Sequence, residues 1–231
     1  MLGTVEMRRN CVTCPLKCDM FKKLSDDELE KINNTRTDAK FNAGELIFKQ
    51  GAPNNHIIFI TKGLVKVFME GYEGKDVILS LVKPTQFISG PELYYNSLAI
   101  YSASALVETE CCYVNENLFK QFIIQNRSFS EAFISEFARR STNTLNSLVS
   151  LTQKKMNGRI AEGLLYLSRV FESDTFDMIL TKKEFGDLTA MTRESAIRIL
   201  QQFIKEGLIT SARSKISIID KEKLRVISEV G

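Results

Sequence analysis

The chain has 231 residues, long enough for two domains each with its own core. At 44% hydrophobic and 26% charged residues it has the balance of an ordinary soluble globular protein, and no apolar run approaches the roughly 20 residues that span a bilayer. The net charge of +3 is too small to indicate nucleic acid by itself, and the lone histidine, His56, excludes His-rich metal sites.

The N-terminus lacks the apolar stretch of a signal peptide, so the expected location is cytoplasmic, away from membranes. No Walker loop, G-x-S-x-G elbow or H-E-x-x-H motif occurs, and a His-based triad would rest on His56 alone. His56 reads most simply as a loop residue ahead of an apolar run. An enzyme therefore has no constellation to support it.

Residues 1–24 form a polar lead-in carrying Cys11, Cys14 and Cys18 as C-x2-C-x3-C. The run SDDELEKIN at 25–33 has a serine cap and an acidic first turn, the pattern of a short helix. From 37 to 115 the texture changes to short β-branched runs at 45–49, 57–61, 64–69, 76–82 and 102–108, with glycines as punctuation. Such spacing suggests a β-sandwich or roll. From 117 to 155 the pattern is helical and long. Phe133, Ile134, Phe137, Ser141, Leu145, Leu148 and Thr152 lie along one stripe, a coiled-coil-like seam. A helix joining two domains has few partners within its own chain, which favours a homodimer over packing on its own domain. Asn157-Gly158 reads as a hinge, and 159–171 as a further amphipathic helix. The expected divisions are 1–24, 25–116, 117–155 and 156–231.

The stretch 180–220 is the richest. Thr181 can cap a helix with Phe185 and Leu188 on one face, and Thr189-Ala190-Met191 forms a tight turn. Thr192 then caps a second helix with Glu194 in its first turn, a buried stripe of Ala196, Ile199, Leu200 and Phe203, and Gly207 as its stop. Arg193, Glu194, Ile197 and Arg198 fall on the opposite side. Alternating runs at 208–212 and 215–219 meet at Arg213-Ser214 as a hairpin wing that carries Lys215. An exposed helix start with two arginines and a glutamate suits the major groove, where Arg bonds guanine and Glu accepts from cytosine. Between residues 182 and 225 there are ten lysines and arginines against six acids, a bias that favours phosphate contacts.

This order of parts resembles the CRP/FNR superfamily of bacterial transcription regulators. The likeness is carried by FNAGELIFKQGAPNNHIIFITKGLVKVF in the roll and by MTRESAIRIL followed by KEGLI in the C-terminal module. It implies an α+β fold: an N-terminal antiparallel β-roll of the cyclic-nucleotide-binding type, a long dimerisation helix and a C-terminal winged helix-turn-helix. It also implies a homodimer that binds palindromic double-stranded DNA, with RNA polymerase as a further partner. By family position Arg193, Glu194 and Arg198 are the main readers, the last two for a G·C pair in a TGA-like half-site, while Ile197 sits where members differ. Thr192, Arg213 and Lys215 complete the expected interface. Ala190 occupies the usual glycine of the turn.

Two sensors follow from the resemblance. The nucleotide-binding stretch corresponds to SGPELYYNSLAIYSASA, so Gly90, Glu92, Leu93, Tyr101 and Ser102 mark the effector position. Tyr101 stands where the phosphate-pairing arginine would be, and Pro91 removes a backbone donor, so a cyclic nucleotide is not the expected ligand. The oxygen-sensing branch of the family holds an iron–sulfur cluster on an N-terminal cysteine trio and one cysteine of the roll. Here the matching set is Cys11, Cys14, Cys18 and Cys112, with Cys111 as a core neighbour, although that branch has a longer gap before its third cysteine. The same thiols could instead hold zinc, act as a redox switch or bind nothing. The second reading of the whole chain is a small-molecule-binding regulatory module without direct DNA contact.

Overall fold

The computed structural model describes residues 10–88, 93–95 and 98–231. Two four-stranded antiparallel sheets form the roll. One has the order β1 (Thr37–Phe41), β8 (Thr109–Asn115), β3 (His56–Lys62), β6 (Phe87–Ile88); the other has β2 (Leu46–Phe48), β7 (Ser102–Ala105), β4 (Val65–Met69), β5 (Val77–Val82). Strand alternation decides what fills the space between them. Ile58, Ile60 and Cys111 point inward to meet Val65, Val67, Val82 and Ala103 of the facing sheet. Their neighbours Ile57, Phe59, Cys112 and Val114 point outward, into a second core shared with the N-terminal segment and helices. His56 is the first residue of β3 rather than a turn residue.

The N-terminal segment lies on that outer face. A single 3-10 turn, Phe21–Lys23, leads to α1 (Asp26–Thr35), whose cap is a complete capping box between Ser25 and Glu28. Phe21 sets its ring 4.3 Å from that of Phe59.

The helical stretch from 117 to 155 is not one helix. It divides into α2 (Glu116–Gln125) and α3 (Arg127–Gln153), with Asn126 extended between them. The Asn126 side chain caps α3 by accepting from Phe129 N and also donates to the Lys23 carbonyl and to Glu28. A short polar side chain with that many better offers leaves a helix readily. Phe119 and Phe122 bury α2 against the roll, and Phe133 packs edge-on to Phe119, so the exposed stripe begins at Ile134 rather than Phe133. From there α3 shows an unpartnered apolar stripe, with Ile134 61%, Leu145 63% and Leu148 59% exposed.

The hinge also differs from expectation. Asn157 and Gly158 lie inside the first turn of α4 (Met156–Phe171), and the break falls at Lys154 and Lys155, both extended. Gly158 serves close packing, since a Cβ there would stand 2.7 Å from the Gly231 carbonyl oxygen.

After α4 come β9 (Thr175–Asp177), α5 (Lys182–Leu188), α6 (Arg193–Lys205), β10 (Ile209–Ala212), β11 (Lys215–Ile218) and α7 (Lys221–Val230). β9 was not anticipated; it adds a third strand to the wing, in the order β10-β11-β9. This unit shares a core with the outer face of β4 and β5, through Phe68, Ile78 and Leu81 against α4 and α5. Polar contacts support the seat: Lys66 pairs with Glu184 at 2.5 Å, and Leu81 N–H donates to the Tyr166 hydroxyl at 2.7 Å. Among the described residues no helix is long and apolar enough to cross a membrane.

Candidate DNA-reading tip and cysteine cavity

The start of α6 is shaped from below by apolar burial and from its end by a cap. Ala196, Ile199 and Phe203 are buried, one turn apart, which turns the other side outward. Thr192 accepts from Ser195 N at 3.2 Å. Arg193, Glu194 and Arg198 are exposed around this tip, and Ile197 is half-buried beside them. The preceding turn holds Ala190 at φ +50°, the left-handed conformation, at a cost of about 1 kcal/mol. Arg159 donates to the Ala190 carbonyl at 2.9 Å and fixes that turn. Gly186 lets the two helices close up, because a Cβ there would sit 2.7 Å from the Met191 carbonyl. Arg213, at φ +56°, and Lys215 are exposed at the wing turn. The capped tip and the wing are therefore presented outward by one unit with a shared core, with the chemistry to bond base edges and phosphates.

The second site is a small, partly open cavity of ≈ 40 Å³ between the N-terminal segment and the outer face of β3 and β8. Cys11, Cys14, Cys18 and Cys112 all line it, with Phe21, Ile32, Phe59 and Val114 as apolar wall and Lys17 and Arg36 as cations. Cys111 is next to Cys112 in sequence but faces the roll interior, as the alternation of a strand requires. Cys11 is held by its N–H, which donates to Asn33 Oδ1 at 3.3 Å. Arg36 closes α1, and its buried guanidinium donates to Cys112 Sγ at 3.0 Å and to Asp38 at 2.5 Å. Nothing in the sequence marked Arg36, because its role comes from the pairing of Asp38 with Cys112 across β1 and β8.

Burial pushes the Cys18 thiol up to about 11, and burial followed by the Asp38 charge pushes Cys112 up to about 12. Both are protonated thiols at neutral pH and poor nucleophiles as they stand. Among the described residues no three His, Cys, Asp or Glu side chains converge on a single metal-ion position. The four cysteines line one cavity instead. An iron–sulfur cluster needs such an arrangement: four separated thiolates, apolar walls and cations against its net negative charge. The residues present fit that group.

The residues expected at the effector position do not gather in one place among those described. Tyr101 is buried in the roll interior, its ring 5.8 Å from that of Phe48. The Ser102 hydroxyl donates to Glu70 at 2.8 Å and accepts from Gln50 N at 2.8 Å. Leu93 belongs to the outer core with Phe59. Gly90, Pro91 and Glu92 lie outside the described residues.

Residues 39–126 match the cyclic nucleotide-binding domain, and residues 158–227 match the Crp-like helix-turn-helix domain. The CRP-like cAMP-activated global transcriptional regulator of Mycobacterium tuberculosis is 22% identical over 213 residues, covering 90% of this chain and 95% of that protein. The cAMP-activated global transcriptional regulator CRP of Salmonella typhimurium is 28% identical over 186 residues, or 78% of this chain and 88% of that one. The structure of FixK2 from Bradyrhizobium japonicum shares the fold with a TM-score of 0.76 at 17% identity, over 85% of this chain and 99% of that one. A helix-turn-helix of this type, in relatives that are transcriptional regulators, disfavours a binding module without DNA contact. The chain belongs to the CRP/FNR superfamily of DNA-binding transcription regulators.

Proposed function

We propose that the chain acts as a homodimer whose two α6 tips read a palindrome of TGA-like half-sites, under the control of a [4Fe–4S] cluster on Cys11, Cys14, Cys18 and Cys112. Arg193, Glu194 and Arg198 are the base readers, Ile197 touches a flanking base, and Thr192, Arg213 and Lys215 meet the backbone. RNA polymerase is the further partner this reading implies. The exposed stripe from Ile134 to Thr152 on α3 is the dimer seam.

The observation that carries the sensor is the meeting of an N-terminal cysteine trio with Cys112 around one cavity. A single zinc ion would need its ligands about 2.3 Å from one point, which favours a larger core. A bare-thiol switch has nothing to offset the burial that keeps Cys18 and Cys112 protonated, whereas iron would offset it by ligating the sulfurs. When bound, the cluster supplies an oxidation-labile centre. The chain supplies the connection to the seam: Phe59, in the cavity wall, lies 6.4 Å from Phe119, which meets Phe133 at 5.6 Å, and Phe133 meets Phe137 at 6.4 Å on the exposed side of α3. A shift in the cavity wall would move the seam through packed rings rather than through solvent.

A cyclic nucleotide is disfavoured by two features. Tyr101 fills the position given to the phosphate-pairing arginine, and Ser102 already spends its hydroxyl on Glu70 and Gln50. Protein purified without air is expected to be brown, with about four irons and four sulfides per chain, and to bleach in air. Colourless protein, with zinc or without metal, would remove the cluster and leave the DNA reading in place.

A further inference from the structure

Among the residues around the cysteine cavity, Arg36 stands apart because it touches a sulfur and a carboxylate with the same nitrogen. Its Nη1 lies 3.0 Å from Cys112 Sγ and 2.5 Å from Asp38 Oδ1, and its side chain is only 2% exposed. Asp38 and Cys112 are directly paired across the β1–β8 ladder, so their side chains share the outer face of the sheet. Asp38 is 43% exposed and keeps part of its hydration, whereas the Arg36 side chain is buried beside a cavity whose apolar lining includes Ile32, Phe59 and Val114.

We infer that Arg36 is the positioning residue of the sensor: it bridges Asp38 and the Cys112 sulfur so that the sulfur can serve as an iron ligand beside a carboxylate. The inference rests on the cluster reading above. A cysteine that ligates iron does so as a thiolate, which places a second negative charge next to Asp38. In a low-dielectric wall that juxtaposition is unfavourable, and the guanidinium between the two turns repulsion into a shared hydrogen-bonded pair. Hydrogen bonds to a ligand sulfur also fix its direction, and partners of this kind typically govern metal retention by 10- to 100-fold. Lys17, the other cation of the cavity, donates to the Val12 carbonyl at 2.5 Å, whereas Arg36 is the one with a hydrogen bond to the Cys112 sulfur.

The account makes the Asp38 charge, and not the loss of packing, the reason Arg36 is needed. Full-length protein is reconstituted without air with ferrous iron and sulfide, and cluster loss is followed by visible absorbance at one fixed oxygen concentration, with iron and sulfide content as a second readout. Arg36→Gln is expected to lose its cluster about tenfold faster than the parent chain. Arg36→Gln with Asp38→Asn should recover most of that lifetime, and Asp38→Asn alone should hold the cluster at least as long as the parent. Circular dichroism of the metal-free forms shows whether all variants fold. Equal lifetimes for Arg36→Gln and the parent would overturn the proposal while leaving the cluster in place. A folded double variant as labile as Arg36→Gln would overturn the bridging role. A parent chain that takes up neither iron nor sulfide would instead bring down the cluster reading, and this inference with it.

Discussion

Arg198→Ala is expected to erase the preference for one G·C pair in each half-site while leaving a residual, salt-dependent affinity for any duplex. The side chain is exposed on α6, six residues past the Thr192 cap and one turn beyond Glu194 on the same side. That geometry suits a bidentate bond to a guanine edge, worth about 1–3 kcal/mol in each half-site, and the dimer loses it twice. Lys215→Ala is the matched control. Placed at the wing, it should weaken all sequences alike and reduce the slope of log affinity against log salt by about one for each subunit. Competition gel shifts with every base substituted at each half-site position separate the two effects. Unchanged base preference in Arg198→Ala would mean that the readers have been assigned wrongly.

Leu145→Glu combined with Leu148→Glu is expected to give a folded monomer at micromolar concentration that binds the palindrome at least about 100-fold more weakly. Both leucines are more than half exposed in the single chain, so the substitutions disturb no internal core. In the dimer each would bury an apolar side chain worth about 1.5–3 kcal/mol, and a carboxylate placed there would be desolvated without a partner. Joining two half-site readers raises apparent affinity by roughly 10²–10⁴ without any new contact, and this is what the monomer gives up. Analytical ultracentrifugation alongside the gel shift reads both effects. A variant that stays dimeric would place the dimer contact elsewhere.

Much of the DNA-binding unit was legible because its signals are local. Caps at Thr181 and Thr192, the buried stripe of α6 and the wing turn at Arg213-Ser214 each follow from a few neighbouring residues. The roll was legible in its apolar strands. It was not in β1, where only Ala39 and Phe41 alternate with polar residues and pairing with β8 makes the strand, nor in β6 and β8, which lie outside the expected runs. The break at Asn126 and the true position of the bend at Lys154 depend on tertiary partners: Glu28 and the Lys23 carbonyl for the first, Glu162 for the second, where it meets Lys154 at 3.1 Å and also Ser150. Gly158 looked like a hinge residue because glycine serves both bending and close approach, and only packing tells the two apart. For the sensor, the cysteine set could be drawn up from the chain, and strand alternation explains why Cys112 rather than Cys111 reaches the trio. Arg36 could not be found that way, since its significance exists only across a β-ladder.

The central claim is that two exposed α6 tips, held by one seam, read DNA as a pair. Its most direct test is the affinity of the full chain for a palindrome with TGA-containing half-sites one helical turn apart, against a duplex with scrambled half-sites and another whose half-sites are shifted by about half a turn. At one fixed salt concentration the account expects the intact palindrome to be bound at least about 1,000-fold more tightly than the scrambled duplex, with most of that gain lost on the shifted one. Equal affinity for all three would contradict it.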